Sequence, residues 1–387
     1  MTKLDQLIKD LCPNGVEYKT LEEVCTFQRG QTITAKDAVE GDVPVIAGGQ
    51  KPAYYHNQSN RAGETITIAG SGAYAGYVGY WTIPIFLSDA FSVHPHKDKL
   101  TTKYVFYFLS NLQNKIYATK KGSGVPHVHA SSISKFTIPV PPIAVQNEIV
   151  RILDTFTELT AELTAELTAR KQQYEYYKET LIDEICNKAE LKKFGDIATI
   201  ARGASPRPIS KFVTNAKNGV NWIKIGDVEV GNKYITKSKE KISPEGAKQS
   251  KKVKVGDFVL SNSMSFGRPY IMKIDGCIHD GWLSISNFQQ CFIPDFLYYL
   301  LGSVTIQNEM AKRASSGAVR NLNADIVKNL VLPTPSLEEQ ERIVKILDRF
   351  EALCNDISVG LPAEIKARQQ QYEYYRNKLL TFEEVKA

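Results

Sequence analysis

From Leu153 onward the apolar positions fall into a stripe: Leu153, Phe156, Leu159, Leu163, Leu167, then, past Arg170, Tyr174, Tyr177 and Leu181. The mean step is about 3.5 residues, the period of helices that pack along a shared seam. The stretch "PVPP" (139–142) stands just before it, and proline suits a helix start. One long helix is predicted over about 143–185. At its centre "ELTAELTAELTA" (158–169) counts in fours, which suggests that a length is being set. A second stripe runs Leu347, Phe350, Leu353, Ile357, Ile365, Tyr372, Tyr375, Leu379. Gly360 and Pro362 interrupt it, so a break or kink is expected there. Neither stripe is easily buried alone. Each suits the other, as two long antiparallel helices forming a coiled coil.

Outside these stripes the pattern changes. "GETITIAG" (63–70) and "GDFVLSNS" (256–263) alternate apolar residues behind a Gly-acidic turn and read as strands. "TKYVFYFLSNLQNKIYA" (102–118) and "PDFLYYLLGSVTIQNEMAKRA" (294–314) have helical spacing. Each block between the stripes is α+β with strands dominant.

The blocks resemble one another. "VEYKTLEEVCTFQRG" (16–30) resembles "AELKKFGDIATIARG" (189–203), and Gly76 maps to Gly267. "IPVPPIAVQNEIVRILDTF" (138–156) matches "LPTPSLEEQERIVKILDRF" (332–350), and "RKQQYEYYKETLI" (170–182) matches "RQQQYEYYRNKLL" (368–380). The order is kept and the offset drifts slowly, so one duplication explains the chain. The expected organisation is a block at 1–142 with a short N-terminal helix, a helical spacer at 143–187, a second block at 188–335 and a second helical region at 336–387. The C-terminal "LTFEEVKA" resembles "KTLEEVC" near the N-terminus, as if the two ends met in space.

Charge follows the same division. Residues 190–335 hold 21 Lys/Arg against 12 Asp/Glu, and residues 16–142 hold 12 against 9. The helical stretches 143–189 and 336–387 are both acidic. Basic surface attracts a polyanion such as DNA or RNA. Three loop regions recur in both blocks and offer the contacts. The first is "QRGQTI" and "ARGASPRPISK", with Arg29, Arg202, Arg207 and Lys211; arginine binds phosphate or the edge of guanine. The second is "AGSGAYAGY" and "SNSMSFGRPY", with Tyr74, Tyr77, Asn262, Ser263, Ser265 and Arg268. Glycines flanked by strands let a backbone approach a ligand there. The third is "KKGSGVPHVHASS" and "KRASSGAVRNLNAD", where Lys120, Lys121, Lys312, Arg313 and Arg320 suit phosphates. In that region His127, His129 and Asn321 suit base reading or the capping of a following helix. The tyrosines of the twin "QQYEYY" runs are more simply helix packing than DNA stacking.

Chemistry of its own is not indicated. Gly-Lys, which a P-loop requires, occurs nowhere, and the one Pro-Pro sits at a helix start. "PDFLYYL" begins like a nuclease motif but lacks the acidic-x-Lys partner, and Asp295 reads as a helix cap. His127 and His129 lack nearby acidic or cysteine partners, so no metal site is expected. The six cysteines form no C-x-x-C pair and read as reduced thiols. No apolar run reaches the length of a membrane span and no signal-peptide core is seen, so a cytoplasmic protein is expected.

Taken in order, the TAEL spacer, the twin "QQYEYY" helices and the paired "P-x-P…Q-x-x-I-V-x-I-L-D-x-F" openings resemble the specificity (S) subunits of type I restriction-modification enzymes, most of all the type IC branch. The resemblance covers essentially the whole chain. It implies a non-catalytic subunit with two target recognition domains, each reading one half of a split double-stranded DNA site. The helices would act as a ruler and dock methyltransferase (M) subunits, two by symmetry, which in turn hold the restriction (R) subunits. S-adenosylmethionine, ATP and magnesium would belong to those partners. Recognition domains vary between members, so no base preference carries over. The residues alone leave open a stand-alone DNA-binding regulator or a coiled-coil scaffold.

Overall fold

The computed structural model of the protein describes residues 2–122, 124–228, 232–262, 266–314, 321–355 and 360–385. The first stripe is one helix of 44 residues, α1 (Ile143–Cys186), beginning directly after the two prolines. The second is two helices, α2 (Leu337–Asn355) and α3 (Leu361–Leu379), with Gly360 outside both. The expected break is therefore present. The chain folds into two compact units, residues 1–165 with 363–387, and residues 166–362. α1 begins in the first unit and ends in the second.

The first unit has a four-stranded antiparallel sheet in the order Cys25–Arg29, Ala90–Pro95, Thr65–Ala69, Val78–Trp81. A three-stranded sheet joins Tyr54–His56, Val43–Ile46 and Phe86–Leu87, and Glu17–Thr20 pairs with Thr137–Val140. Its core brings Ile66, Ile68 and Val93 of the sheet against Tyr104, Val105 and Leu109 of the helix Thr102–Asn111 and against Val145, Ile149 and Leu153 of α1. The two ends of the chain meet here. Val16 N–H donates to Glu383 O (2.9 Å), Val385 N–H donates to Val16 O (3.1 Å), and Tyr18 OH donates to Phe382 O (3.0 Å).

The second unit repeats the plan. Its antiparallel strands run Thr199–Arg202, Trp282–Ser286, Phe258–Ser261, Pro269–Met272, with Tyr234–Ile235 added in parallel at the edge. A second sheet has the order Glu240–Ile242, Val220–Ile223, Gly276–Ile278, Lys251–Val253, and Glu190–Lys193 pairs with Val331–Thr334.

Individual side chains repeat as well. Gln146 is fully buried; its amide donates to Lys99 O (2.7 Å) and Pro141 O (2.8 Å) and accepts from Thr101 N–H (2.9 Å). Gln340, also fully buried, donates to Cys291 O (2.7 Å) and Pro335 O (3.0 Å) and accepts from Ile293 N–H (2.9 Å). Each glutamine ties the first turn of a long helix to the residues just before an earlier helix, Thr102–Asn111 in the first unit and Pro294–Leu301 in the second. Phe156 of α1 stacks on Tyr375 of α3 (5.5 Å between centroids) and lies 6.5 Å from Tyr372, while Tyr177 of α1 stacks on Phe350 of α2 (6.1 Å). Of the tyrosines in the twin runs, Tyr177, Tyr372 and Tyr375 thus meet a neighbouring helix and Tyr174 is buried, while Tyr176 (67%) and Tyr374 (63%) are exposed.

Two expectations need correction. The α1 stripe is not buried throughout. Leu153 and Tyr174 are buried, yet Leu159 is 40% exposed, Leu163 and Leu167 are half-buried and Tyr177 is 42% exposed. A four-residue repeat advances about 400° on a helix of 3.6 residues per turn, so each TAEL leucine moves roughly 40° round the helix. Three successive leucines cannot share one seam. On α2 Leu347 is fully buried and Phe350 half-buried; on α3 Tyr372 and Tyr375 are half-buried, and Ile357 lies outside the described residues. The second correction is Asp295. It sits at the start of the helix Pro294–Leu301 but caps nothing. Its carboxylate takes Lys233 Nζ (2.7 Å) and Tyr234 OH (3.0 Å), partners about sixty residues away in sequence.

Candidate nucleic-acid interface

The two Arg-Gly turns are built alike because each glycine lies against the backbone of the neighbouring strand end. Gly30 N–H donates to Ala90 O and Gly203 N–H to Trp282 O, both at 2.8 Å. A Cβ on Gly30 would stand 2.1 Å from Ser88 O, and on Gly203 2.0 Å from His279 O. Only glycine lets the chain pass so close, and the pass leaves Arg29 and Arg202 exposed on the turn.

In the first unit the three loop regions converge. The second meets the third where Gly72 N–H donates to Pro126 O (3.0 Å), Val128 N–H to Gly70 O (2.9 Å), and Ser71 bridges to His127. Arg29, Gly70, Asp89, His127 and His129 then line one cavity of about 370 Å³. His127 and His129 are exposed, with parallel rings 6.3 Å apart. His129 is the N-cap residue of Ala130–Ile133 but its ring makes no capping bond. Tyr74 is 48% exposed and Tyr77 half-buried. Lys121 is exposed; Lys120 reaches Ala73 O (3.3 Å) and lies over the Tyr117 ring (4.4 Å).

The second unit brings the same regions together through Asp280, the counterpart of Asp89. Arg202 Nε donates to Asp280 O (3.2 Å), and the Asp280 carboxylate accepts from Ser205 Oγ (2.7 Å) with Arg207 at 3.8 Å. The Ser205 hydroxyl, before all else, holds the Asp280 carboxyl below its ordinary range. Leu322 N–H donates to Asn262 O (2.8 Å), which links the second and third regions. Arg207, Lys211, Lys312 and Asn321 are exposed. Arg268 is half-buried, 5.8 Å over the Tyr270 ring. Ser263, Ser265 and Arg320 lie outside the described residues.

Several of these residues do more internal work than their sequence context indicates. Asn262 is 5% exposed and its amide donates to Asp280 O (2.9 Å), so it anchors the loop. Arg313 holds Glu309 (2.8 Å) and Asn329 O (2.6 Å). The cap of the helix Ala324–Lys328 is Asn323, whose side chain accepts from Ile326 N–H (2.8 Å), and not Asn321. Sequence reasoning missed Asp89 and Asp280, although "DAFSV" (89–93) in the first block resembles "DGWLSI" (280–285) in the second. Among the described residues no group of His, Cys, Asp or Glu could hold a metal ion. No helix among them is long and apolar enough to cross a membrane.

Fold and loops together define a class: duplicated α+β proteins whose two units carry the same loop cluster beside long connecting helices. The model of the type I restriction modification DNA specificity domain matches the chain twice, over residues 13–170 and 187–367. The chain belongs to that family. It is 31% identical to a putative type I restriction enzyme specificity subunit of Haemophilus influenzae, over 98% of each chain. A type I restriction enzyme specificity subunit of Escherichia coli is also 31% identical, over 74% of this chain and 72% of that one. Among solved structures, one from a study of complex assembly and conformational transition in a type I restriction-modification system covers 96% of this chain and 98% of its own, with a TM-score of 0.64 at 17% identity. The HsdS subunit from Thermoanaerobacter tengcongensis covers 96% and 97%, with a TM-score of 0.58 at 17% identity. These two likenesses concern the fold.

Proposed function

We propose that the chain is the DNA specificity subunit of a type I restriction-modification complex, with each unit reading one half of a bipartite duplex target. The observation that carries this is the repeated convergence of three polar loop regions on one place in each unit, around Asp89 and around Asp280. Reading is assigned to blocks 1–142 and 188–335. Arg29, Tyr74, Lys121, His127 and His129 serve the first half-site, and Arg202, Arg207, Lys211, Arg268 and Asn321 the second. Arginines on such turns suit phosphate oxygens and guanine edges. α1, α2 and α3 set the distance between half-sites and dock two methyltransferase subunits, through which restriction subunits join. Methylation and cleavage belong to those partners, with the S-adenosylmethionine, ATP and magnesium they use.

The test exchanges residues 190–335 for those of a relative, expresses the chain with its methyltransferase partner and sequences the host methylome. One half of the methylated motif should change and the other persist. Change in both halves would show that the units do not read independently.

A further inference from the structure

Between Lys237 and Lys254 the chain carries seven lysines against two glutamates. Four of the lysines, Lys248, Lys251, Lys252 and Lys254, lie on the helix Pro244–Lys248 and on or beside the edge strand Lys251–Val253. Lys248, Lys252 and Lys254 are exposed and Lys251 is half-buried. They belong to none of the three loop regions, yet the fold sets them against the first. Ser250 Oγ donates to Ala204 O (2.7 Å), two residues past Arg202. Lys251 pairs with Ile278, whose carbonyl also accepts from Ala204 N–H (3.2 Å). The helix Pro244–Lys248 is held to Phe212, the residue after Lys211. Ser243 N–H donates to Phe212 O (2.7 Å), and a Cβ on Gly246 would meet the Phe212 side chain at 2.8 Å. Two carboxylates lie within electrostatic reach of the patch, Glu245 of Lys248 and Asp257 of Lys251 and Lys254; Asp257 accepts from Lys254 N–H (2.8 Å), Asp275 from Val255 N–H (2.8 Å), and Asp280 from Ser205 Oγ.

Among the described residues the first unit has no such patch before its matching strand. The stretch before the same core strand, His56–Gly63, contains one cation, Arg61. Arg61 is 9% exposed and turned inward, donating to Ser92 Oγ (2.8 Å), Asn60 O (2.7 Å) and Arg29 O (3.0 Å). One unit thus uses a buried arginine to brace its loop where the other presents lysines to solvent.

We propose that Lys248, Lys251, Lys252 and Lys254, beside the Arg202–Lys211 loop, form a sequence-independent grip on the phosphodiester backbone of duplex DNA, present in the second unit and missing from the first. Lysine suits this role because a flexible point charge neutralises phosphate without reading bases. Lysines on an edge strand also discourage pairing with another chain. That role does not call for lysines on the neighbouring helix or a position against an arginine loop. The inference rests on the DNA-binding reading above, and its experiment separates the two.

The full-length chain is titrated against a fluorescein-labelled mixed-sequence 40-base-pair duplex over a range of KCl concentrations. A variant with Lys248→Gln, Lys251→Gln, Lys252→Gln and Lys254→Gln together is compared with the same four changed to Arg. Each phosphate contact contributes about 0.9 to the slope of log affinity against log salt. The Gln variant should be shallower than wild type by roughly 2 to 4, and the Arg variant should keep the wild-type slope. A Gln variant within about 0.5 of wild type overturns the grip and leaves the DNA-binding reading standing. An Arg variant as shallow as the Gln variant marks a structural effect and also overturns it. Wild-type protein that does not bind the duplex removes both.

Discussion

The glycine turns permit a matched pair of perturbations, Gly30→Ala and Gly203→Ala. The added Cβ would stand 2.1 Å from Ser88 O in one unit and 2.0 Å from His279 O in the other, where ordinary contact begins near 3.4 Å. The obstructing atoms are backbone at the ends of core strands, so the turn must retreat by roughly 1 Å and the core holds. Retreat stretches two backbone hydrogen bonds in each unit. These run from Gly30 N–H to Ala90 O and Gln31 N–H to Leu87 O in the first, and from Gly203 N–H to Trp282 O and Ala204 N–H to Ile278 O in the second. At about 1 kcal/mol each, with about 1–3 kcal/mol for overpacking, the local cost is roughly 3–5 kcal/mol. Arg29 or Arg202 is carried off its position in the process. A loss of half that cost at the half-site is about tenfold to a hundredfold in affinity, at about 1.4 kcal/mol per tenfold. The assay is methylome sequencing of hosts carrying each variant with the methyltransferase partner, supported by duplex titration. Gly203→Ala should relax the half-site read by the second unit and Gly30→Ala the other. If both variants damaged the same half-site, or if neither changed affinity by more than about threefold, the turns would not be what positions the readers.

Deletion of Thr164–Leu167 shortens α1 by about 6 Å and removes no buried residue; the methylome should show the same half-sites separated by one or two fewer base pairs at about 3.4 Å each, and altered half-site bases would contradict it. Gln340→Leu leaves a part-buried N–H and two part-buried carbonyls without these partners and should lower stability in urea by roughly 3 kcal/mol, as should Gln146→Leu; a loss below about 1 kcal/mol would mean the glutamines are not the ties described. Burial, ahead of every other influence, holds His279 below its ordinary value of 6.5, and its Nδ1 accepts from Gly281 N–H at 2.8 Å. The unfolded chain therefore takes up the proton first, so this contribution is complete above about pH 6.5 and is lost as pH falls below it. The thermal midpoint should drop between pH 7.5 and 5.5 by more in wild type than in His279→Gln, and equal drops would remove His279 as the cause.

What the chain shows in one dimension and what it hides divide along a physical line. The helices were legible because their information is local: proline before Ile143, a stripe of apolar residues, glycine and proline at the break. The duplication was legible because matched segments compare directly, and Gln146 and Gln340 keep the same three hydrogen bonds in both copies. Errors arose where a partner is remote. Asp295 reads as a cap until Lys233 and Tyr234 arrive from sixty residues away. Asn262 reads as a DNA contact until the Asp280 carbonyl claims its amide. The TAEL leucines read as a seam because an average step near 3.5 conceals a local step of four, which turns Leu159 outward. That last error strengthens the ruler. A segment whose leucines were locked in a seam could not change length without a hole or a clash. One whose Leu159 is exposed and whose Leu163 and Leu167 are only half-buried can gain or lose a four-residue unit and keep its helix. The repeat can therefore vary in number while each unit keeps its own core.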